Sequence, residues 1–269
     1  MTPIQALILG LVQGAAEFIP VSSSGHLVLV PWLLRWPEPG LAFDITLHWG
    51  TLAAVVAVFW RDLWRLVVAW LHSLHSRSLD DVEARVAWWI IVGTVPGVAF
   101  GLILNEPLER LFSAPEIVAV FLLITAAILS LSERLGRRDR DLDRMTWLDA
   151  LLVGVGQALA IMPGISRSGA TIASGLLRGL KRETAARFSF LLSTPIIVGA
   201  GLPPLLELAQ AGDLSGRLPT LILGFAAAAI SGYLCIRLLL NYLQQHKLYI
   251  FAAYCAVAGL VCLIVALVR

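Results

Sequence analysis

Two apolar regions of this sequence are each too long for one membrane span and are cut near the middle by a proline. The first covers about residues 3–34 and is interrupted at Pro20, and the second covers about residues 147–177 and is interrupted at Pro163. Proline removes a backbone donor and breaks a helix. Broken backbone at membrane depth is tolerated only where protein or a water-filled cavity satisfies its polar groups. We therefore predict two re-entrant helical hairpins, each of which enters and leaves the membrane on one side.

Six further stretches are long and apolar enough to cross a membrane as single helices, which needs roughly 20 residues. They cover about residues 41–60, 86–104, 115–132, 185–206, 218–240 and 248–268. Only 14% of the residues are charged, against about 25% in a soluble domain. The sequence therefore predicts an all-α polytopic membrane protein that forms a single membrane domain over residues 1–269, with the lipid bilayer as its surroundings and no nucleic acid as a partner.

Basic residues are concentrated in four of the connections between these elements. They are Arg61, Arg65, Arg77 and Arg85 in the first, Arg134, Arg137, Arg138, Arg140 and Arg144 in the second, Arg178, Lys181, Arg182 and Arg187 in the third, and Arg237 and Lys247 in the fourth. If both broken regions are re-entrant, all four connections lie on one face, which the positive-inside rule assigns to the cytoplasm. This arrangement predicts that both termini lie outside, that the first hairpin enters from outside and that the second enters from the cytoplasm.

The two halves of the chain match each other at one constant register around the two proline breaks. The matched pairs are Gly10 with Gly154, Gln13 with Gln157, Ser22 with Ser166, Ser24 with Ser168, and Gly25 with Gly169. Each half contains one hairpin and three spans, and an odd number of crossings inverts the second copy. We therefore predict an inverted-topology repeat, with repeats at about residues 1–134 and 145–269, whose broken helices hold a site near the midplane.

Positions at which the two repeats differ are the better candidates for chemistry. The first repeat has Glu17, Ser23 and His26, where the second has Ile161, Arg167 and Ala170, and Thr171 replaces Leu27. A carboxylate, a hydroxyl, an imidazole and a guanidinium are together the groups needed to hold and cleave a phosphate ester or anhydride. The candidate catalytic residues are accordingly Glu17, Ser23, His26 and Arg167.

Each break should also start a new half-helix, near Ser23 and near Arg167. A helix N-terminus offers free N–H groups and the positive end of a dipole, which suits phosphate. The candidate substrate-binding residues are Ser22, Ser24, Ser166, Ser168 and Thr171. For Ser22, Ser166 and Ser168, a role as helix N-caps explains the same pattern equally well. A charge in the middle of a hairpin costs about 2.5–3.5 kcal/mol on insertion scales, which favours a functional Arg167.

Three other polar residues leave alternatives open. Gln13 shares a helix face with Glu17, and its repeat partner Gln157 suggests a structural hydrogen bond at least as strongly as a ligand. Asp44 and His48 share one face of the first full span and could line the cavity or pair with each other.

The two motifs QGAAEFIPVSSSGH and PGISRSGAT resemble the signature motifs of the undecaprenyl-diphosphate phosphatases of the bacitracin-resistance family. The resemblance extends to FDITLHWGT and FSFLLSTP and covers most of the chain. It implies a multi-pass enzyme of the bacterial plasma membrane that dephosphorylates a C55 isoprenyl diphosphate carrier for reuse in peptidoglycan synthesis.

The resemblance also implies which residues form the site. Gln13 and Glu17 match the (E/Q)xxxE element of the first motif, Ser22, Ser23 and His26 match its serine run and histidine, and Arg167 matches the arginine of the second motif. A divalent cation, Mg²⁺ or Ca²⁺, is a family expectation, with Glu17 and Gln13 as its ligands. At the first position of the (E/Q)xxxE element, this sequence has the uncharged Gln13 instead of a glutamate. It also has Ala16, where many members have threonine.

Several mechanisms and two rival functions stay open on the sequence. We expect Ser23 to attack the terminal phosphorus while His26 or Glu17 removes its proton. His26 as nucleophile, and water activated by Glu17 or a metal, are the alternatives. The rival function is a secondary transporter or flippase for an anionic lipid. A membrane phosphatase of the phosphatidic-acid type is a weaker rival. The sequence is also compatible with a homodimer and does not determine the oligomeric state.

Overall fold

The computed structural model describes residues 1–103, 114–210 and 218–268, with side chains left out for residues 207–210. These ranges contain ten α-helices, which we number in chain order, and a short 3-10 helix at Leu142–Arg144. The helices are α1 Pro3–Phe18, α2 Ser23–Leu34, α3 Leu41–Ser76, α4 Val82–Ile103, α5 Pro115–Leu135, α6 Trp147–Leu159, α7 Arg167–Leu177, α8 Arg182–Gln210, α9 Leu218–Gln245 and α10 Tyr249–Val268. The predicted all-α class is confirmed.

Six of these helices, α3, α4, α5, α8, α9 and α10, are long and apolar enough to cross a membrane. They correspond one by one to the six predicted spans, although the predicted end of the second span, residue 104, lies outside the described residues. The predicted end of the first span near residue 60 is wrong, because α3 continues to Ser76. The apolar pattern continues past Arg61 and Arg65, and a local departure from helical geometry at Phe59 (φ −108°, ψ 16°) marks a kink instead of an end.

The remaining four helices form the two predicted hairpins. They have 16, 12, 13 and 11 residues, which is too short for the roughly 20 residues of a full crossing. In the second hairpin, Asp149 in the first turn of α6 accepts a hydrogen bond from Arg178 at the end of α7, over 2.6 Å. In the first hairpin, Trp36, which follows the end of α2, packs against the hydrophobic cluster that contains Ala6 from the first turns of α1. Each hairpin therefore begins and ends on one side of the molecule.

The four basic connections lie together at one end of the molecule. Glu133 at the end of α5 accepts hydrogen bonds from Arg182 in the third connection and from the backbone N–H of Leu248 in the fourth. Arg187 donates to Asp62, next to the first connection's Arg61, over 3.2 Å. We call this the basic end. The clustering is the arrangement that two re-entrant hairpins predict.

Each hairpin packs against a helix from the other half of the chain, and the two contacts are alike. Helix α1 lies against α9, and a Cβ added to Gly10 would lie 2.6 Å from the carbonyl oxygen of Gly224. Helix α6 lies against α4, and a Cβ added to Gly154 would lie 2.4 Å from the carbonyl oxygen of Gly93. Glycine thus permits backbone contact at two positions that the repeat pairs. The inverted repeat and its boundaries stay a prediction that this packing supports.

Candidate active site

The two half-helices begin where the sequence predicts, α2 at Ser23 and α7 at Arg167. Ser22 caps α2 by accepting a hydrogen bond from the N–H of Gly25 over 3.2 Å, and Ser166 caps α7 in the same way with Gly169 over 3.0 Å. A side-chain oxygen at the N-cap satisfies one of the free N–H groups of the first turn. The serines that the repeats share therefore shape the turns.

Glu17 and Arg167 join the two breaks. Glu17 lies in the last turn of α1, and its Oε1 accepts a hydrogen bond from Arg167 Nη2 over 2.5 Å. The side chains are only 4% and 16% exposed, so the ion pair is screened little by water. The structure thus brings together a carboxylate and a guanidinium that are far apart in the sequence.

The second oxygen of Glu17 accepts hydrogen bonds from two other side chains of the first hairpin. Its Oε2 accepts a hydrogen bond from Ser23 Oγ over 2.5 Å and from Gln13 Nε2 over 3.0 Å. His48 Nε2 of α3 lies 3.9 Å from the same oxygen. His48 is oriented through its other nitrogen, Nδ1, which lies 2.8 Å from the carbonyl oxygen of Asp44. Glu17 is therefore the centre of the site, with Ser23 as its nearest hydroxyl.

These groups lie at one side of a cavity of about 370 Å³. Its polar lining includes Glu17, Ser23, Ser24, His48 and Arg167. The rest of the wall is mainly apolar and comes from α3, α8 and the second break, with Ile45, Ile161, Ile165, Ile196 and Ile197. A cavity with one polar and one apolar side suits a ligand that carries a charged head on a hydrocarbon chain.

The cavity lies in the half of the molecule away from the basic end. His48 in the cavity and Asp62 near the basic end are on the same helix, separated by roughly 20 Å at about 1.5 Å per residue. Gly201 in the cavity and Arg187 at the basic end are similarly separated along α8. The site is therefore remote from the basic connections.

His26 is not brought to the cavity. Its Nδ1 lies 2.7 Å from the carbonyl oxygen of Ser22, and its Nε2 lies 2.7 Å from the hydroxyl of Tyr254 in α10. Helical side chains tilt toward the N-terminus of their helix, and the imidazole accordingly turns back to the cap residue. Of the two bases that we expect for Ser23, Glu17 lies in hydrogen-bond contact with its hydroxyl, and His26 does not.

Four of the five candidate substrate-binding residues also lie away from the cavity, and only Ser24 lines it. Thr171 donates to the carbonyl oxygen of Arg167 over 2.8 Å and contacts Ser189 Oγ at 2.6 Å, so it packs α7 against α8. Ser166 and Ser168 are buried and share a hydrogen bond of 3.2 Å. Together with Ser22, they stabilise the breaks.

The described residues fit a divalent cation only in a limited way. No group of three or more His, Cys, Asp or Glu side chains that could hold a metal is found among them. Glu17 is one carboxylate in contact with Arg167, and Gln13 is fully buried and turns its amide nitrogen to Glu17. Magnesium commonly binds through one or two carboxylates with substrate phosphates supplying further oxygens. Glu17 fits that pattern, whereas Gln13 donates a hydrogen bond to the Glu17 carboxylate.

Tyr254 is the residue of this region that the sequence did not reveal. It lies in the last apolar span, where a tyrosine is common and gives no sign of its contact with a residue 228 positions away. Of the pair Asp44 and His48, which we expect to line the cavity or to pair with each other, only His48 lines the cavity. The contact between the two runs from His48 Nδ1 to the backbone carbonyl oxygen of Asp44.

The fold and this site define a class of protein: a multi-pass helical membrane protein with a buried carboxylate, hydroxyl and guanidinium at two broken helices. The family described as "Bacitracin resistance protein BacA" matches residues 6–261, and the chain belongs to this family. The resemblance seen in the two motifs is confirmed.

Curated relatives cover nearly the whole chain. The undecaprenyl-diphosphatase of Moorella thermoacetica is 47% identical over 254 residues, which are 94% of each chain. That of Thermomicrobium roseum is 44% identical over 269 residues, 97% of each chain. That of Methanosphaera stadtmanae is 46% identical over 275 residues, 98% of each chain.

Proposed function

We propose that this protein hydrolyses undecaprenyl diphosphate to undecaprenyl phosphate and inorganic phosphate, and so returns the lipid carrier to peptidoglycan synthesis. The observation that carries the proposal is the contact of Glu17 with both Ser23 and Arg167 on the polar side of a cavity that is otherwise apolar. Relatives of near full length and 44–47% identity have the name undecaprenyl-diphosphatase.

The cavity suits the two ends of such a substrate differently. The diphosphate would lie against Ser23, Ser24 and Arg167, where the first turns of α2 and α7 offer free N–H groups. The first isoprene units would lie along the wall formed by Ile165, Ile196 and Ile197. A C55 chain is far larger than the cavity, so the rest of it stays in the bilayer.

Ser23 is placed to act as the nucleophile and Glu17 as its base. In the first step, Ser23 Oγ forms a bond to the terminal phosphorus while its proton passes over 2.5 Å to Glu17 Oε2. The bond from that phosphorus to the bridging oxygen breaks, and the electron pair leaves with the lipid phosphate. A base within hydrogen-bond reach is what a serine nucleophile requires. Water then attacks the phosphoserine, the bond from phosphorus to the Ser23 oxygen breaks, and the proton held by Glu17 returns to that oxygen. Inorganic phosphate leaves with the protons of water.

Arg167 is placed to stabilise the transferring phosphoryl group. Its Nη2 binds Glu17, while its Nη1 is buried and has no hydrogen-bond partner among the described residues. A buried donor without a partner costs roughly 1–3 kcal/mol, which a phosphate oxygen would remove. A guanidinium fixed in this way stabilises the negative charge on the equatorial oxygens of the transferring phosphoryl group. A divalent cation held by Glu17 and the diphosphate would add further charge neutralisation.

The structure disfavours one alternative mechanism and leaves one other. Both nitrogens of His26 are engaged with Ser22 and Tyr254, so His26 is poorly placed as a nucleophile. Direct attack by water that Glu17 activates remains the alternative to attack by Ser23.

Phosphate release from isoprenyl diphosphate by the purified protein in detergent tests the proposed function. We expect multiple turnovers, whereas a transporter or flippase for an anionic lipid would release no phosphate. The transporter hypothesis has only the broken-helix architecture in its favour.

We also propose that the cavity faces the outside of the cell. The positive-inside rule assigns the basic end to the cytoplasm, and the cavity lies in the other half of the molecule. A cysteine placed beside Arg35 should then react with an impermeant thiol reagent in intact cells, and one beside Arg138 should not. The reverse labelling pattern would show that the protein has the opposite orientation in the membrane.

A further inference from the structure

Tyr254 of the last helix holds the imidazole of His26 in the first hairpin. The Tyr254 hydroxyl lies 2.7 Å from His26 Nε2, and the two rings stack with centroids 5.7 Å apart and planes 13° apart. The same part of α10 also approaches the break itself, because Cys255 Sγ lies 3.7 Å from the carbonyl oxygen of Pro20. Helix α10 therefore supports the first break at adjacent residues.

The partners of His26 fix its tautomer. Nδ1 lies 2.7 Å from the carbonyl oxygen of Ser22, and since a carbonyl can only accept, Nδ1 carries the proton. In the neutral ring, Nε2 is then an acceptor, and the Tyr254 hydroxyl donates to it. The lone pair of the imidazole is occupied, and the ring forms a bridge from Tyr254 to the Ser22 carbonyl.

The carbonyl that His26 holds belongs to an unusual backbone conformation. Ser22 has φ 71° and ψ 95°, whereas its counterpart Ser166 caps α7 with the ordinary values φ −71° and ψ 120°. A non-glycine residue in a sparsely populated region costs of order 1–3 kcal/mol and persists only where its surroundings enforce it. At the second break, where the cap residue has ordinary backbone values, Ala170 stands in place of His26. The imidazole thus occurs at the break whose cap is strained.

We propose that Tyr254 and His26 are positioning residues for Ser23. Tyr254 orients the imidazole, the imidazole binds the Ser22 carbonyl, and the fixed Ser22 backbone directs the next side chain, Ser23, to Glu17. The proposal rests on the proposed role of Ser23 as nucleophile. It assigns no proton transfer to His26.

Three substitutions of His26 separate positioning from acid–base catalysis. The His26→Asn amide nitrogen takes the place of Nδ1 and can still donate to the Ser22 carbonyl, but asparagine has no basic nitrogen. The His26→Gln amide nitrogen corresponds to Nε2 and cannot replace that bond, and His26→Ala removes both. We expect His26→Ala and His26→Gln to lower kcat at least about tenfold (about 1.4 kcal/mol in the barrier), and His26→Asn to recover most of the loss. Equal loss in all three, in folded protein, would overturn the positioning role.

Tyr254→Phe tests the outer member of the bridge, with Tyr249→Phe on the same helix as its control. Tyr249 is an exposed tyrosine at the start of α10 and lies outside the cavity. We expect Tyr254→Phe to lower kcat several-fold to about tenfold with little change in KM, since the diphosphate contacts remain. Tyr249→Phe should match the wild type. Unchanged kcat in Tyr254→Phe, or a loss confined to KM, would overturn the role of Tyr254.

The tautomer of His26 can be measured without catalysis. In protein labelled with ¹⁵N-histidine, the His26 resonance is assigned as the one that disappears in His26→Asn among the five histidines. We expect a protonated Nδ1 and an unprotonated Nε2, with the Nε2 shift moving in Tyr254→Phe. A protonated Nε2 in the neutral ring would overturn the bridge even if phosphate release is normal. The expected shifts together with no phosphate release would leave the bridge standing and reject the proposed function.

Discussion

The break between α1 and α2 and the break between α6 and α7 have the same capping hydrogen bond and different chemistry. In both, a serine accepts a hydrogen bond from the N–H three residues later and lies beside a second serine hydroxyl. Around this shared cap, the first break has Glu17 and Ser23, and the second has Arg167. The carboxylate and hydroxyl meet the guanidinium only when the two hairpins pack together. The residues that the predicted repeats share therefore account for the scaffold, and the residues at which they differ account for the site.

The largest effect should come from the unshared residues of the first break. Ser23→Ala should lower kcat by about a thousandfold, close to 4 kcal/mol in the barrier, because the nucleophile is removed while the binding groups remain. Glu17→Gln should be comparably damaging, and the double variant should be little worse than the worse single one, since groups that act as a unit are strongly non-additive. Phosphate release at saturating substrate measures all three.

Ser168→Ala is the matched control for these variants, because Ser168 is a serine at a position that the predicted repeats share, hydrogen-bonds the cap residue Ser166 and does not line the cavity. Its kcat should stay within a few-fold of the wild type. If Ser168→Ala were inactive while Ser23→Ala kept most of its activity, the division between shared scaffold and unshared chemistry would be wrong.

A smaller loss should follow from changing the unshared residue of the second break. Arg167→Lys keeps the charge but loses the planar fork that binds Glu17 and phosphate together. We expect kcat/KM to fall by at least about tenfold, or 1.4 kcal/mol. Arg187→Lys at the basic end, where Arg187 pairs with Asp62, should keep normal kinetics. Normal turnover in Arg167→Lys would make Arg167 a structural charge.

The effect on the scaffold should appear in stability instead of turnover and should be alike in both halves. Gly10→Ala and Gly154→Ala each place a methyl group against a backbone carbonyl of the facing helix, and overpacking typically costs about 1–3 kcal/mol. Both should lower the Tm of the purified protein. Gly199→Ala should not, because no atom lies within 4 Å of the added Cβ. A lower Tm for only one of the first two would show that the halves are not packed equivalently.

The sequence predicts the scaffold well because its signals are local. Prolines followed by serines predict starts near Ser23 and Arg167, where α2 and α7 begin, and six apolar runs predict the long helices. The end of α3 could not be located in this way, because arginines at a membrane boundary are compatible with a helix that continues into water.

The site could be predicted only in part because its contacts are long-range. Glu17, Ser23 and Arg167 differ between the repeats, and that difference singled them out. The spacing of Ser23 and His26 suggested a pair, yet the imidazole turns to Ser22 and Tyr254 because α10 presents a hydroxyl there. Similarly, the hydroxyl of Thr171 contacts the hydroxyl of Ser189 in α8. Local sequence patterns do not predict how α10 packs against the first break or how α8 packs against α7.

The stereochemical course at phosphorus tests the central claim most directly, that Ser23 at the first break forms a bond to phosphorus. The substrate would have a terminal thiophosphate made chiral with two oxygen isotopes, hydrolysis would take place in water of the third isotope, and the configuration of the released thiophosphate would be determined. Attack by Ser23 followed by attack of an acceptor on phosphoserine is two in-line displacements, each of which inverts. We therefore expect net retention of configuration. Net inversion would show a single displacement by water and would contradict a serine nucleophile.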